Sequence, residues 1–302
     1  MRVFVTGATG FIGSAIVREL VDAGHEVVGL ARSDRAAAAV VALGAEVHRG
    51  GLDDLDSLHG GAAAADGVIH TAYIHDFSRM ESAARTDLRA IETLGTALEG
   101  SGRPLVITTG TALIKPGQVA TEEDSAAPDA HPRLGAEQTA LALAARGVRS
   151  SIIRPGASVH GEGDHGFVPV LIDIARTKRV SAYIGNGSNR WPAVHRLDAA
   201  RLYRLALEKG PAGSVFHSVA DEGVPTRKIA EVIGRHQNVP AVSIAPEDAG
   251  EHFGWIGAFF AVDAPASSAL TRERLGWQPN HPGLIADLEA GHYFPEAQPA
   301  AA

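Results

Sequence analysis

Residues 5–14 read VTGATGFIGS, and the spacing of their glycines decides how the rest of the chain is read. Gly7, Gly10 and Gly13 recur at every third position, directly after the apolar run RVFVTG. They open FIGSAIVRELVDAG, where Ile12, Ala15, Ile16, Glu19 and Leu20 fall at helical spacing. A first glycine permits a tight turn, a second lets backbone approach a pyrophosphate, and a third lets helix and strand pack closely. The helix start adds free N–H groups and the positive end of its dipole. Strand, turn and helix in this order predict a dinucleotide-binding unit.

The alternation continues outward. Gly24 ends the first helix and HEVVGLA is the next strand. AEVHRG, DGVIHTA, PLVITTG and RSSIIRPG are four more strand candidates, separated by DRAAAAVVALG, DDLDSLHGGAAAA and the stretch from Met80 to Leu98. Repetition of this kind predicts an α/β fold, a doubly wound parallel sheet covered on both faces. Such sheets bind ligands outside the carboxyl ends of their strands, where the chain order reverses.

Composition narrows the classes of partner. The 302 residues carry a net charge of −8 and a pI near 5.9, which argues against nucleic acid or an anionic membrane. No apolar run approaches the length of a membrane span. The first residues enter a strand at once, so no signal peptide is expected and the cytoplasm is the expected compartment. Cysteine is absent, which removes disulfides, thiolate catalysis and cysteine-based metal sites. The 14 histidines show no H-E-x-x-H, and no metal site is predicted.

The chain resembles an extended or atypical short-chain dehydrogenase/reductase of the NAD-dependent epimerase/dehydratase type. The pieces that carry the resemblance are TGATGFIG, DGVIHTA, VITTG, AEQTALALAARGVRSSIIRPGASVHGEGD, WPAVHRLDAARLYRLALE and SSALTRERLGWQP. The resemblance implies a Rossmann-type dinucleotide-binding domain over residues 1–160, to which 195–220 return. A smaller substrate-binding region would comprise 161–194 and 221–302. It also exposes a departure. The family's Tyr-x-x-x-Lys pair falls on Asp129 and Arg133, and no tyrosine lies between Tyr73 and Tyr183, nor any lysine between Lys115 and Lys178.

What the resemblance implies for the site follows residue by residue. Arg133 stands where the family's lysine grips the nicotinamide ribose, the alternative being an exposed arginine in a first helical turn. Asp129 reads as a helix-entry residue, and His131 as a substrate-side candidate or a solvated loop residue. Thr109, with Thr108 or Thr111 as alternates, matches the hydroxyl that polarises a substrate carbonyl. Tyr73 ends a central strand on the ligand side; a phenol there, its pKa lowered by Arg133, would replace the missing proton donor. The alternative for Tyr73 is an aromatic pocket wall, with His75 and Asp76 orienting substrate from the same loop.

The remaining cofactor contacts implied are Thr9, Phe11 and Ile12 in the glycine-rich turn, Thr71 and Ala72 after the fourth strand, Thr108, and Pro155 with Gly156. At the end of the second strand Ala31 occupies the acidic position of NAD-specific relatives, and Arg32 with Ser33 suits a 2′-phosphate, so NADP(H) is the expected cofactor. Gly51 replaces an aspartate often set against adenine, leaving Leu52 and backbone to that task. In the second region HGFVPVLIDIARTKR reads as a helix, VSAYIG as a strand and NGSNRWPAVH as a turn. Phe167, Trp191 and His195 are substrate-side candidates, with core packing the alternative for the first two. EHFGWIGAFFAVD would close a lid or a homodimer interface, and the tail PEAQPAAA is expected to be disordered. Three functions stay open: an NADPH-dependent oxidoreductase acting on a small carbonyl or related unsaturated substrate, a nucleotide-retaining epimerase, isomerase or lyase, and a non-catalytic NADP(H) sensor.

Overall fold

The structure is a computed structural model and describes residues 1–76, 79–112, 114–126 and 133–294. Asp129, His131 and the tail from residue 295 lie outside the described residues. The six strands predicted in the first half all form, alternating with helices: β1 (Arg2–Thr6), α1 (Phe11–Asp22), β2 (Glu26–Ala31), α2 (Asp34–Ala42), β3 (Glu46–Arg49), α3 (Leu55–Ala63), β4 (Gly67–His70), α4 (Met80–Leu98), β5 (Pro104–Thr108), α5 (Leu134–Ala145) and β6 (Arg149–Pro155). Next come β7 (Ser158–His160), α6 (Phe167–Lys178), β8 (Ser181–Ile184), β9 (Arg190–His195), α7 (Arg196–Lys209) and β10 (Ser214–Ser218). The chain continues through β11 (Asp221–Pro225), α8 (Thr226–Gln237), β12 (Ala241–Ile244), α9 (Ala249–Phe253), α10 (Gly257–Phe260), α11 (Ala269–Leu275) and α12 (Leu284–Glu289).

Seven parallel strands make the main sheet in the order β10-β6-β5-β4-β1-β2-β3. The order reverses at β1, between β4 and β2, and the glycine-rich turn leaves β1 at that switch point. Side-chain alternation along β1 serves two cores. Val3 and Val5 join Ile16, Leu20, Leu202 and Trp277 on one face, while Phe4 joins Leu94, Leu98 and Leu143 on the other. A sheet buried on both faces reads as a continuous apolar run, and RVFV is one.

The smaller lobe holds a three-stranded sheet, β11-β9-β7, and the parallel pair β12-β8. Here the sequence reading needs correction. NGSNRWPAVH begins as the predicted turn, with Gly187 at φ 66°, but Arg190–His195 is the central strand β9. A proline argues against a central strand because it cannot donate to the ladder. Pro192 is accommodated because the register of β11 shifts between Asp221 and Val224, the two partners that flank it, which leaves a bulge opposite the proline. Trp191 and Ala193 enter the small core, and Val194 enters the large one. EHFGWIGAFFAVD folds as α9 and α10 with a 3-10 turn between, burying Phe253, Ile256 and Phe260 in the small core. No described helix is long and apolar enough to cross a membrane.

Candidate active site and cofactor pocket

The glycine-rich turn has the shape its sequence predicts. Gly7 takes φ 72°, a conformation that favours glycine. A Cβ on Gly13 would stand 1.9 Å from the carbonyl oxygen of Gly7, so helix and turn meet at a distance only glycine allows. Gly10 caps α1 without any side-chain hydrogen bond, which leaves the first-turn amides to Phe11 and Ile12 for a ligand. Thr9 is exposed beside them. The end of β4 braces this turn: a Cβ on Gly7 would meet Ala72 N and Thr71 Oγ1 at 2.7 Å, and Thr71 donates to the carbonyl of Thr6 at 2.8 Å. A cradle that admits no Cβ fits a dinucleotide pyrophosphate.

At the far end of that cradle Arg32 is exposed, and Ser33 caps α2 by accepting from Ala36 N at 3.2 Å. The cap uses the oxygen of Ser33 and leaves its proton for a ligand. Leu52 is half-buried against the core under α3 and α4.

Beside the cradle a cavity of about 310 Å³ opens outside the carboxyl ends of β4, β5 and β6. Ile12, Thr71, Tyr73, His75 and Asp76 line it from the first half of the sheet. Thr108, Thr109, Thr111, Arg133, Pro155 and Gly156 line it from the second, and Phe167 from the smaller lobe. Trp191 and His195 stand elsewhere. Trp191 is 1% exposed and donates its indole N–H to the carbonyl of Phe259. His195 caps α7 and stacks on His281 with ring centroids 4.7 Å apart. Phe259, Met80 and Glu137 line the cavity without having been singled out in the sequence.

Arg133 is a brace. Its Nη2 donates to the carbonyl of Thr108 at 2.7 Å, its Nε lies 3.6 Å from Asp87 Oδ2, and its Cζ stands 4.0 Å above the Tyr73 ring. Any grip on a ribose has to share that guanidinium with these protein partners. Asp87, 1% exposed, also accepts from His70 Nε2 at 3.0 Å, and His70 Nδ1 lies 2.8 Å from the hydroxyl of Thr6. A buried polar chain thus runs from the glycine-rich strand to the pocket arginine.

Two expectations change at this site. The Tyr73 pKa is raised, not lowered: burial outweighs the pull of Arg133, and Asp87 adds to the rise. The phenol therefore keeps its proton at neutral pH. Thr109 donates its hydroxyl proton to Glu137 Oε1 at 2.6 Å, and Glu137 also takes Arg154 Nε at 2.9 Å and Nη2 at 2.6 Å. Burial alone would raise the Glu137 pKa, but the bonds and charge of Arg154, with Thr109 and His217, bring it below its ordinary value. The carboxylate holds the threonine proton, so the Thr109 oxygen meets the cavity as an acceptor and not as the donor the sequence suggested. Thr108 donates to the carbonyl of His70 at 2.9 Å and Thr111 to that of Pro155 at 3.2 Å, so both also turn inward. Burial lowers the His75 pKa, with Arg133 adding to the effect, and its imidazole is neutral at pH 7.

A glycine-rich phosphate cradle at the switch point of a parallel sheet, opening into a largely apolar cavity, defines a dinucleotide-dependent oxidoreductase of the short-chain type. The comparisons agree. The chain belongs to the NAD dependent epimerase/dehydratase family, whose pattern matches residues 3–218. It is 52% identical to an uncharacterized protein of Schizosaccharomyces pombe over 97% of this chain and 100% of that one. It is 29% identical to the 4-hydroxy-2-methyl-3-oxo-4-farnesyl-3,4-dihydroquinoline-1-oxide ketoreductase of Stigmatella aurantiaca, over 80% of this chain and 75% of that one. Its fold matches the dTDP-glucose 4,6-dehydratase DesIV of Streptomyces venezuelae, solved with NAD bound, at a TM-score of 0.77 and 20% identity over 96% and 97% of the two chains. Among the described residues no group of three or more His, Asp or Glu side chains is arranged to hold a metal ion.

Proposed function

We propose that the protein is an NADPH-dependent oxidoreductase that reduces a small, largely apolar carbonyl compound. The observation that carries this reading is the cavity, in which a protonated phenol faces walls such as Ile74, Met80, Leu134, Phe167 and Phe259. These apolar walls suit a small carbonyl compound better than the hydroxyls of a sugar. The similarity to a ketoreductase supports carbonyl reduction. Arg32, with no carboxylate at Ala31, supports the choice of NADPH.

NADPH, when bound, supplies the hydride. The chain's own residues hold and move the proton. Tyr73 keeps it at the phenol oxygen and passes it to the substrate oxygen, while Arg133 fixes the ring from its face. The oxygen of Thr109 then accepts from the new hydroxyl. Phe167 and Phe259, both from the smaller lobe, close the site against water.

The test is NADPH oxidation, followed by absorbance, against a panel of ketones and aldehydes, run beside sugar nucleotides. Stoichiometric oxidation with a ketone is expected. Conversion of a sugar nucleotide without net consumption of NADPH, and no reaction with the carbonyl panel, would replace this reading with the epimerase one. In an active assay Tyr73→Phe should lower turnover by roughly 10²–10⁴-fold and leave cofactor affinity unchanged.

A further inference from the structure

Arg196 opens α7 yet reaches the glycine-rich turn. Its Cζ stands 5.0 Å from the centroid of the Phe11 ring, and His165 meets the same ring edge-on at 5.7 Å. Phe11 is the first residue of α1, where Gly10 leaves the cap without a side chain. Arg196 is held in this place from two directions. Its Nη1 donates to the carbonyl of Glu162 at 3.0 Å, which ties down the loop between β7 and α6. Farther along α7, Arg204 Nε donates to Glu19 Oε1 at 2.7 Å and locks α7 beside α1.

The charge of this guanidinium is otherwise unanswered. Arg133, Arg154, Arg190 and Arg204 each face a carboxylate. Among the described residues no carboxylate lies within ion-pair distance of Arg196. A half-buried cation with a ring and one carbonyl around it, at the mouth of a phosphate cradle, is a site for an anion.

We propose that Arg196 is a ligand of the cofactor's pyrophosphate, reaching it from the smaller lobe with Phe11 as its platform, while the α1 amides hold it from the other side. The inference rests on the dinucleotide reading above but not on the choice between NADPH and NADH. Arg32 acts on that choice. Arg196 acts on the pyrophosphate common to both cofactors, and so on affinity alone.

Calorimetric titration of NADPH, NADH and ADP-ribose into wild type, Arg196→Met and Arg196→Lys tests it. The methionine keeps an apolar stem over Phe11 and removes the charge. All three ligands should then bind about tenfold to a hundredfold more weakly, the effect of one charge-assisted hydrogen bond. Lysine, which keeps the charge and loses the fork, should fall between methionine and wild type. Wild-type affinities in Arg196→Met, or a lysine variant as weak as the methionine one, would overturn the proposal. A wild-type protein that binds none of the three ligands would instead remove the cofactor reading beneath it.

Discussion

At Arg133 a single guanidinium serves a carbonyl, a carboxylate and an aromatic face. Arg133→Ala should therefore cost stability before it costs catalysis, because Asp87 stays buried without its cation. The loss is expected to be on the order of 3 kcal/mol, read from urea unfolding. Adding Asp87→Asn should recover part of it, and strict additivity of the two changes would contradict the pairing. The arginine was legible in the sequence as a pocket residue, since it occupies a known motif position. Its partner was not, because Asp87 sits on a helix far away along the chain and nothing local marks it. The place of Arg32 was legible, because it follows β2 directly and is exposed there. Arg32→Ala should weaken NADPH by about 1.5–3 kcal/mol and leave NADH nearly unchanged. Equal wild-type affinities for the two cofactors would count against the NADPH assignment.

Elements differ in how much of them the sequence shows. The β1–turn–α1 unit is local, so its glycines announce it. β9 is not local: its proline is tolerated only because a bulge in β11 stands opposite. Gly156 shows the same dependence. A Cβ there would stand 2.5 Å from the carbonyl oxygen of Pro192, so Gly156→Ala should push β6 and β9 apart and lower the unfolding midpoint. His195, at the end of β9, caps α7 by accepting from Leu197 N through Nδ1. Burial, with His160 and His281 nearby, pushes its pKa down from 6.5 to about 4, against the opposing pull of Asp287 and Asp198. Between those values the unfolded chain takes up a proton that the folded chain refuses. The cap's contribution is therefore complete above pH 6.5 and is lost as the pH falls toward 4. His195→Asn keeps a capping oxygen and removes the titration. Urea midpoints at pH 7 and pH 5 should then differ less than in wild type; an unchanged difference would rule His195 out as the source.

On the scale of the whole molecule, β9 belongs to two cores at once, through Trp191 and Ala193 on one side and Val194 on the other. The lobes should unfold together, in one thermal transition monitored by both far-ultraviolet and tryptophan signals. NADPH at a hundred times its Kd should add about 2.7 kcal/mol to that single transition. Two separate transitions, only one of which responds to NADPH, would show that the lobes are independent. The layered fold was readable because parallel strands advertise themselves as apolar runs. The cavity was readable only in part: its large-lobe wall follows strand ends, whereas Phe259 comes from a late segment whose pattern did not tell a lid from an interface.

The bond from Thr109 to Glu137 has a consequence for the time course of the reaction. With the Thr109 proton already held by Glu137, a ligand that brings its own O–H to that oxygen completes the bond, and a bare ketone does not. Under the proposed chemistry the departing alcohol is thus retained more firmly than the arriving ketone. Progress curves should bend early, and the product alcohol should be a competitive inhibitor with a constant below the KM of its parent ketone.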